Sequence, residues 1–266
     1  MMQQIHFDDG AAYERFMGQW SQLVGDEFMV WLAAPSGLRW LDVGCGNGAF
    51  TERLCERCAP ASIAGIDPSE AQLAFARTRP SLRTADLRRA DAMALPFPDS
   101  TFDAAVMPLV IFFVPDPATG VSEMVRVVRP GGFVAAYGWD MEGGGFPYAA
   151  LHDAMRASGM VVPAPPHPEA SGLDALATYW THAGLEEVQT RTITVQRTYA
   201  DFDDYWATIL CGPSVGASLA AAPREEIALV RKEIQLRLLA DSAGRITVAA
   251  RANAVTGRVP RGLLAH

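Results

Sequence analysis

The residues best placed to do chemistry are the glycines of Leu41-Asp42-Val43-Gly44-Cys45-Gly46-Asn47-Gly48. They stand between an apolar run and a stretch with Phe50, Leu54 and Cys58 at four-residue steps. Glycine lacks a Cβ, so a ligand can press on the main chain, and positive φ is accessible there. A helix that starts at such a turn offers unpaired N–H groups to an anion. Asp67 ends the next apolar run, where a carboxylate can accept both hydroxyls of a ribose. Strand, bare turn, helix start and distal acid together predict a nucleoside-containing cofactor at the switch point of an open parallel sheet. On the glycines alone two other readings stay open. Gly44, Gly46 and Ala49 also satisfy the dinucleotide fingerprint in its Gly/Ala form, and a tight turn needs no ligand.

Other constellations carry less. Gly212-Pro213-Ser214-Val215-Gly216 has the spacing of a serine-hydrolase nucleophile elbow, which requires a strand before it and a histidine after it. The stretch before it reads as helix, and the only later histidine is His266. Cys55 and Cys58 have the spacing of half a zinc site, but a structural site needs about four ligands and no second pair exists. Buried thiols on a helix are the expectation, and no metal site is assigned. Lys232 is the sole lysine, so no Gly-x-x-x-x-Gly-Lys phosphate loop can be written. The Tyr-x-x-x-Lys pair of short-chain dehydrogenases would need a tyrosine where Ala228 stands.

Composition narrows the class. In 266 residues, half are apolar, and 22 Lys and Arg face 30 Asp and Glu for a net charge of -8. A core can be buried, and an acidic surface repels phosphate backbones, so no nucleic-acid partner is expected. No run approaches the about 18 apolar residues of a membrane helix. The stretch 104–114, interrupted by Pro108, comes nearest. The first residues, Met1-Met2-Gln3-Gln4-Ile5-His6-Phe7-Asp8-Asp9, have no basic cap or apolar core, so no secretory leader is expected. Four cysteines do not make a disulfide framework. A cytoplasmic protein is the expectation.

The elements that must position the glycine turn follow from periodicity. Tyr13, Phe16, Met17, Trp20, Leu23, Val24 and Trp31 recur at helical steps on one face, a core stripe or a lid ahead of the first strand. Strands are predicted at residues 38–43, 62–66, about 84–89, 102–107 and 133–137, separated by helices. One helix is expected to start on Asp67-Pro68, and another to carry Val121, Met124, Val125 and Val128. Pro130-Gly131-Gly132 is read as the turn into the fifth strand. This alternation predicts right-handed crossovers and a parallel sheet. Beyond Trp139, helices are predicted near 148–157, 173–182 and 224–239, with strands around Ile193 and Val195 and at 245–250. These read as sheet-completing strands interrupted by helical insertions.

Five ordered segments settle the cofactor class by likeness. Asp42-Val43-Gly44-Cys45-Gly46-Asn47-Gly48, Gly65-Ile66-Asp67-Pro68-Ser69, Asp91-Ala92-Met93-Ala94-Leu95-Pro96-Phe97, Phe102-Asp103-Ala104-Ala105-Val106 and Arg126-Val127-Val128-Arg129-Pro130-Gly131-Gly132 resemble the class I S-adenosylmethionine-dependent methyltransferases. The subgroup is similar to the small-molecule enzymes of ubiquinone and menaquinone biosynthesis. Tyr13-Glu14-Arg15-Phe16-Met17-Gly18-Gln19-Trp20 is similar to helices that precede the cofactor domain in that group. The resemblance implies an α/β, Rossmann-like, open and mostly parallel seven-stranded sheet, its last strand antiparallel, with helices on both faces and a helical cap. Residues 1–34 would form an N-terminal helical lid, 35–140 the S-adenosylmethionine-binding core, and 141–266 the completing strands and cap insertions of the same domain.

The resemblance also implies roles. Asp42, Gly44, Cys45 (by its backbone) and Gly46 would hold the aminoacyl end, Asp67 the ribose, and Pro68 and Gln72 the adenine. Asp91 would accept the adenine amino group and Ala92 would donate its N–H, although Asp91 could also cap a turn. Met107 would aim its carbonyl at the methionyl ammonium; Pro108 departs from the polar or small residue common there. The expected acceptor is a small, partly apolar molecule, walled by Tyr13, Trp20, Phe112, Trp139, His152, Tyr205 and Trp206. Methyl transfer from a sulfonium is an in-line displacement, in which alignment supplies about 7–11 kcal/mol in favourable cases, so no catalytic triad is required. His152, His167 and Asp140 lie in the acceptor region, and none is assigned as a general base. The alternatives are a nicotinamide-dependent dehydrogenase, disfavoured by the missing Tyr-x-x-x-Lys pair, and a catalytically silent cofactor-binding module.

Overall fold

A computed structural model describes residues 12, 14–162, 164–212 and 215–261. The sheet grows outward from β1 (Arg39–Val43), whose last four residues are all buried. β1 pairs in parallel with β2 (Ser62–Asp67) on one side and with β4 (Phe102–Pro108) on the other. β3 (Asp86–Arg89) extends the β2 side, and β5 (Val128–Trp139) extends the β4 side, again in parallel. β7 (Ile246–Arg258) is inserted antiparallel between β5 and β6 (Glu186–Tyr199). The order is β3-β2-β1-β4-β5-β7-β6, a seven-stranded, mostly parallel open sheet.

That order fixes where a ligand can sit. From β1 the chain steps one way through α2 (Ala49–Cys58) to β2 and through α3 (Glu70–Ala76) to β3. From β4 it steps the other way through α4 (Pro117–Val127) to β5. Right-handed crossovers in opposite directions put α2 and α3 on one face and α4 on the other. A crevice is left where β1 and β4 diverge at their carboxyl ends.

The N-terminal segment is a π-helical turn (Glu14–Gly18) running into α1 (Gln19–Leu32), which packs against α2 and β6 with Trp20, Val24 and Phe28 fully buried. Phe28 and Phe50 flank Tyr137 of β5, with ring centroids 4.7 and 5.8 Å away. The second half supplies α5 (Ala149–Ala157), α6 (Leu173–His182), α7 (Phe202–Ile209), α8 (Val215–Ala221) and α9 (Arg224–Arg237).

Local differences from the sequence reading have identifiable causes. Pro130-Gly131-Gly132 is not a turn ahead of β5 but a bulge within it, where five residues of β5 span two of β4. Gly131 has φ +78°, and a Cβ on Gly132 would lie 2.5 Å from the Asp103 carbonyl, so both positions need glycine. Val128 leaves the helix and opens the strand because its own conformation is extended. Ser69, not Asp67, caps α3, by accepting from the Gln72 N–H. β7 runs 13 residues, well past 245–250, because it lies between two partners and Ala252, Ala254 and Val255 are buried against them.

Two ion clusters explain acids and arginines in the segments quoted above. Asp103 accepts from the Arg39 N–H (2.8 Å), the Arg39 guanidinium (3.0 Å) and the Arg129 guanidinium, tying β1, β4 and β5 together at their amino ends. The Arg39 contact above all holds its carboxyl well below the usual carboxylate range. Arg126 donates to the carbonyls of Leu95 and Phe97 and pairs with Glu123 and Asp99, clamping the loop after β3 onto α4.

Candidate functional site

A cavity of about 710 Å³ opens at the carboxyl ends of β1, β2, β4 and β5, across the divergence of β1 and β4. Its size lies in the upper part of the range for small-molecule sites, about 300–1,000 Å³. The glycine turn forms one wall. Gly44, Gly46 and Gly48 have φ of +77°, +52° and +80°, in the left-handed region that side chains resist. A Cβ on Gly44 would lie 2.4 Å from Val110, whereas one on Gly46 would meet nothing within 4 Å. Gly46 therefore bares its main chain to open space, as a cradle for a bound group should.

Two carboxylates lie under this wall. Asp67 Oδ2 accepts from the Gly46 N–H (3.0 Å) and Oδ1 from the Ser69 N–H (2.8 Å), so the acid that ends β2 shapes the glycine turn itself. Burial raises its carboxyl, against the pull of those two N–H groups. Asp42 is completely buried beneath the turn and accepts from the Thr51 hydroxyl at 2.7 Å. Its other oxygen has no hydrogen-bond partner among the described residues. Burial pushes Asp42 up to about 7, the Thr51 bond opposes it, and the Asp67 charge adds to it. Negative charge and an orphaned buried acceptor favour a cationic ligand, so the residues present fit an adenosyl sulfonium.

Of the residues assigned by likeness, Gly44, Cys45, Gly46, Asp67, Pro68 and Gln72 line the cavity. Asp42 lies below it. Asp91 is exposed and turned to the Met93 N–H at 2.9 Å, capping a short turn, and neither it nor Ala92 reaches the cavity. Met107 is fully buried in β4 one residue short of the strand's end, and Pro108, Leu109 and Val110 form that wall instead. Leu109 is held at φ +60° while its N–H donates to the Tyr137 carbonyl at 2.7 Å. A non-glycine residue there stores about 1–3 kcal/mol of strain, which is concentrated at functional sites.

The aromatic wall expected around the acceptor is core packing. Trp20, Phe112, Trp139, Tyr205 and Trp206 are buried away from the cavity, and Tyr13 lies outside the described residues. Trp20 donates to the Tyr148 hydroxyl, which donates to the Phe16 carbonyl at 2.6 Å. His152 stacks on Phe146 and is driven down to about 4 by burial, so it is neutral and remote. The cavity is walled instead by Ser21 of α1, Phe50, Phe113, Pro115, Tyr137 and residues 164–167. Packing decided against the sequence reading here, because these rings bury their area against one another, Trp20 on Trp139, Tyr205 on Tyr199 and Trp206 on Phe202. The proline cluster at 165–168 and the Pro108 departure were the usable signals.

No free general base faces the cavity among the described residues. His167 lines it, but Nδ1 faces Glu169 at 3.1 Å and Nε2 faces the Pro115 carbonyl at 3.0 Å. Asp140 is engaged by Arg251 and by the Gly143 N–H. Ser214 lies outside the described residues, and the segment before it, α7, is helix rather than the strand a nucleophile elbow needs. Among the described residues no three His, Cys, Asp or Glu side chains are grouped to hold a metal ion.

Residues 41–136 match the family described as "Methyltransferase domain". The chain is 39% identical over 111 residues to a demethylmenaquinone methyltransferase of Bacillus licheniformis, covering 41% of this chain and 48% of that protein. It is 35% identical over 101 residues to a fatty-acid O-methyltransferase of Mycolicibacterium smegmatis, covering 38% and 37%. The chain thus spans less than half the length of these curated relatives. Among solved structures, the YcgJ protein of Bacillus subtilis superposes with TM-score 0.60 at 17% identity, covering 92% of this chain and 100% of that one. A Haemonchus contortus phosphoethanolamine N-methyltransferase 2 in complex with S-adenosyl-L-methionine superposes with TM-score 0.57 at 15% identity, covering 94% and 56%. At such identities the structural likeness concerns the fold.

Proposed function

We propose that this chain, whose residues 41–136 match the methyltransferase-domain family, is a class I S-adenosylmethionine-dependent methyltransferase that transfers a methyl group to a small, partly apolar acceptor. The observation that carries the reading is the bare Gly46 main chain set beside Asp67 and above the buried Asp42, at the divergence of β1 and β4. When bound, S-adenosylmethionine supplies a methyl group already activated on a positively charged sulfur.

The chain's own part is binding and alignment. Asp67 keeps a lone pair on each oxygen for ribose hydroxyls while holding Gly46 and Ser69. Pro68 and Gln72 continue that wall for the base, and the Gly44–Gly46 main chain takes the aminoacyl end above Asp42. The backbone of Pro108 to Val110 faces it across the crevice. Phe50, Phe113, Pro115 and the proline loop at 164–167 exclude water from the remaining space, which suits an apolar acceptor. With the neighbouring histidine and aspartate engaged elsewhere, the acceptor brings its own nucleophilic lone pair, and alignment supplies the rate.

Thermal-shift titration with S-adenosylmethionine, its demethylated product and NAD tests the cofactor. Stabilisation by the first two and not by NAD is expected, and the reverse would select the dehydrogenase reading. Incubation of a metabolite extract with methyl-labelled donor, followed by mass spectrometry, then identifies the acceptor. Binding without labelled product from any extract would mark a silent module.

A further inference from the structure

The N-terminal segment and the glycine turn share one largely buried arginine. Arg79 stands just before the turn Pro80–Leu82, between the Gly65–Ser69 and Asp91–Phe97 segments, and its side chain is 11% exposed. Its Nε donates to the Asn47 carbonyl at 2.7 Å, inside the glycine turn. One terminal nitrogen donates to Glu52 of α2 and the other to Glu14 ahead of α1, each at 2.6 Å. The Glu14 oxygen that meets Arg79 also accepts from the Asn47 side-chain amide at 2.8 Å. Asn47 is buried, lines the cavity, and receives the Ala49 N–H on its Oδ1.

Asn47 has glycine on both sides, so the turn cannot fix its own shape through side-chain sterics. An outside group must hold the peptide, and the planar guanidinium does so with three acceptors in a fixed fork. Remove Glu14, and the fork loses one charged partner while the Asn47 amide loses that acceptor. The turn then samples shapes in which Gly46 no longer presents its main chain to the crevice. We infer that Arg79 is a positioning residue for the cofactor-binding turn and that Glu14 completes it, so that seating of the N-terminal helix sets cofactor affinity. The inference rests on the cofactor reading given above.

A neighbouring tie supplies the control. Asp26 of α1 pairs with Arg53 and Arg57 of α2, joining the same two helices without touching the turn. Calorimetric titration of the full chain with S-adenosylhomocysteine is compared for wild type, Glu14→Gln, Arg79→Met, the double variant and Asp26→Asn. Loss of a charged hydrogen bond converts to a Kd increase on the order of tenfold, expected in Glu14→Gln and in Arg79→Met. The double variant should lose less than the sum of the two single losses, and Asp26→Asn should bind as wild type. In ligand-free, 15N-glycine-labelled protein, the Gly46 and Gly48 amide resonances should move in Glu14→Gln and stay in Asp26→Asn. Should Arg79→Met not fold, the comparison of Glu14→Gln with Asp26→Asn decides. Wild-type affinity in Glu14→Gln, an equal loss in Asp26→Asn, or simple addition of the two losses overturns the inference. A wild-type chain that gives no heat overturns the cofactor reading itself, and this inference with it.

Discussion

Asp42 and Asp67 are different instruments made from one residue type. Asp67 keeps both oxygens at the cavity edge on backbone N–H groups, while Asp42 is sealed beneath with one oxygen orphaned. The sign of the resulting pH dependence follows. Asp42 has its carboxyl raised from 3.8 to about 7, so in that window the folded chain binds a proton that the unfolded chain has released. Stability of the ligand-free protein should therefore fall as pH rises from about 4 to about 7. A cationic ligand favours the ionised acid, so affinity for S-adenosylmethionine should rise over the upper part of the same window. Asp42→Asn should flatten both profiles. Denaturant titrations and binding isotherms at a series of pH values check this, and an unchanged slope in the variant would refute the assignment.

At the scale of elements, much of what makes the sequence recognisable maintains the frame rather than touching ligand. Asp103 and its two arginines clasp three strands at the edge opposite the cavity. Because its folded carboxyl is lowered, this clasp contributes fully above the ordinary carboxylate value and is lost as pH falls from that value towards the lower folded one. Asp103→Asn should cost about 1–3 kcal/mol at neutral pH, read by denaturant unfolding, with cofactor affinity preserved. A variant that binds weakly while remaining as stable as wild type would place Asp103 at the site instead. The central strands were legible because β1, β2 and β4 are buried on both faces and read as apolar runs. The α4–β5 junction was not, because the bulge at Pro130-Gly131-Gly132 carries turn residues inside a strand. The glycine turn and Asp67 were legible in their type and spacing, whereas Pro108 to Val110 and residues 164–167 reach the cavity through tertiary packing that the sequence signals only by their prolines. Asp91 accepts from the Met93 N–H and so forms the turn cap that its sequence context allowed beside a cofactor role.

Over the whole molecule, the cavity is assembled from distant stretches. α1 brings Ser21, the parallel core brings the glycine turn and Asp67, and the second half brings the proline loop. His167 fastens that loop to the segment after β4 through its N–H on the Phe112 carbonyl and its ring Nε2 against the Pro115 carbonyl. The glycine turn, Asp67, Phe50, Phe113 and Pro115 lie within the matched residues 41–136, whereas Ser21 and residues 164–167 lie outside them. Calorimetric titration of S-adenosylmethionine into wild type and Asp67→Ala tests the central claim most directly. One molecule bound per chain, with affinity reduced on the order of tenfold or more in the variant, is the expected result. No binding by the wild type, or equal binding by both proteins, would contradict it.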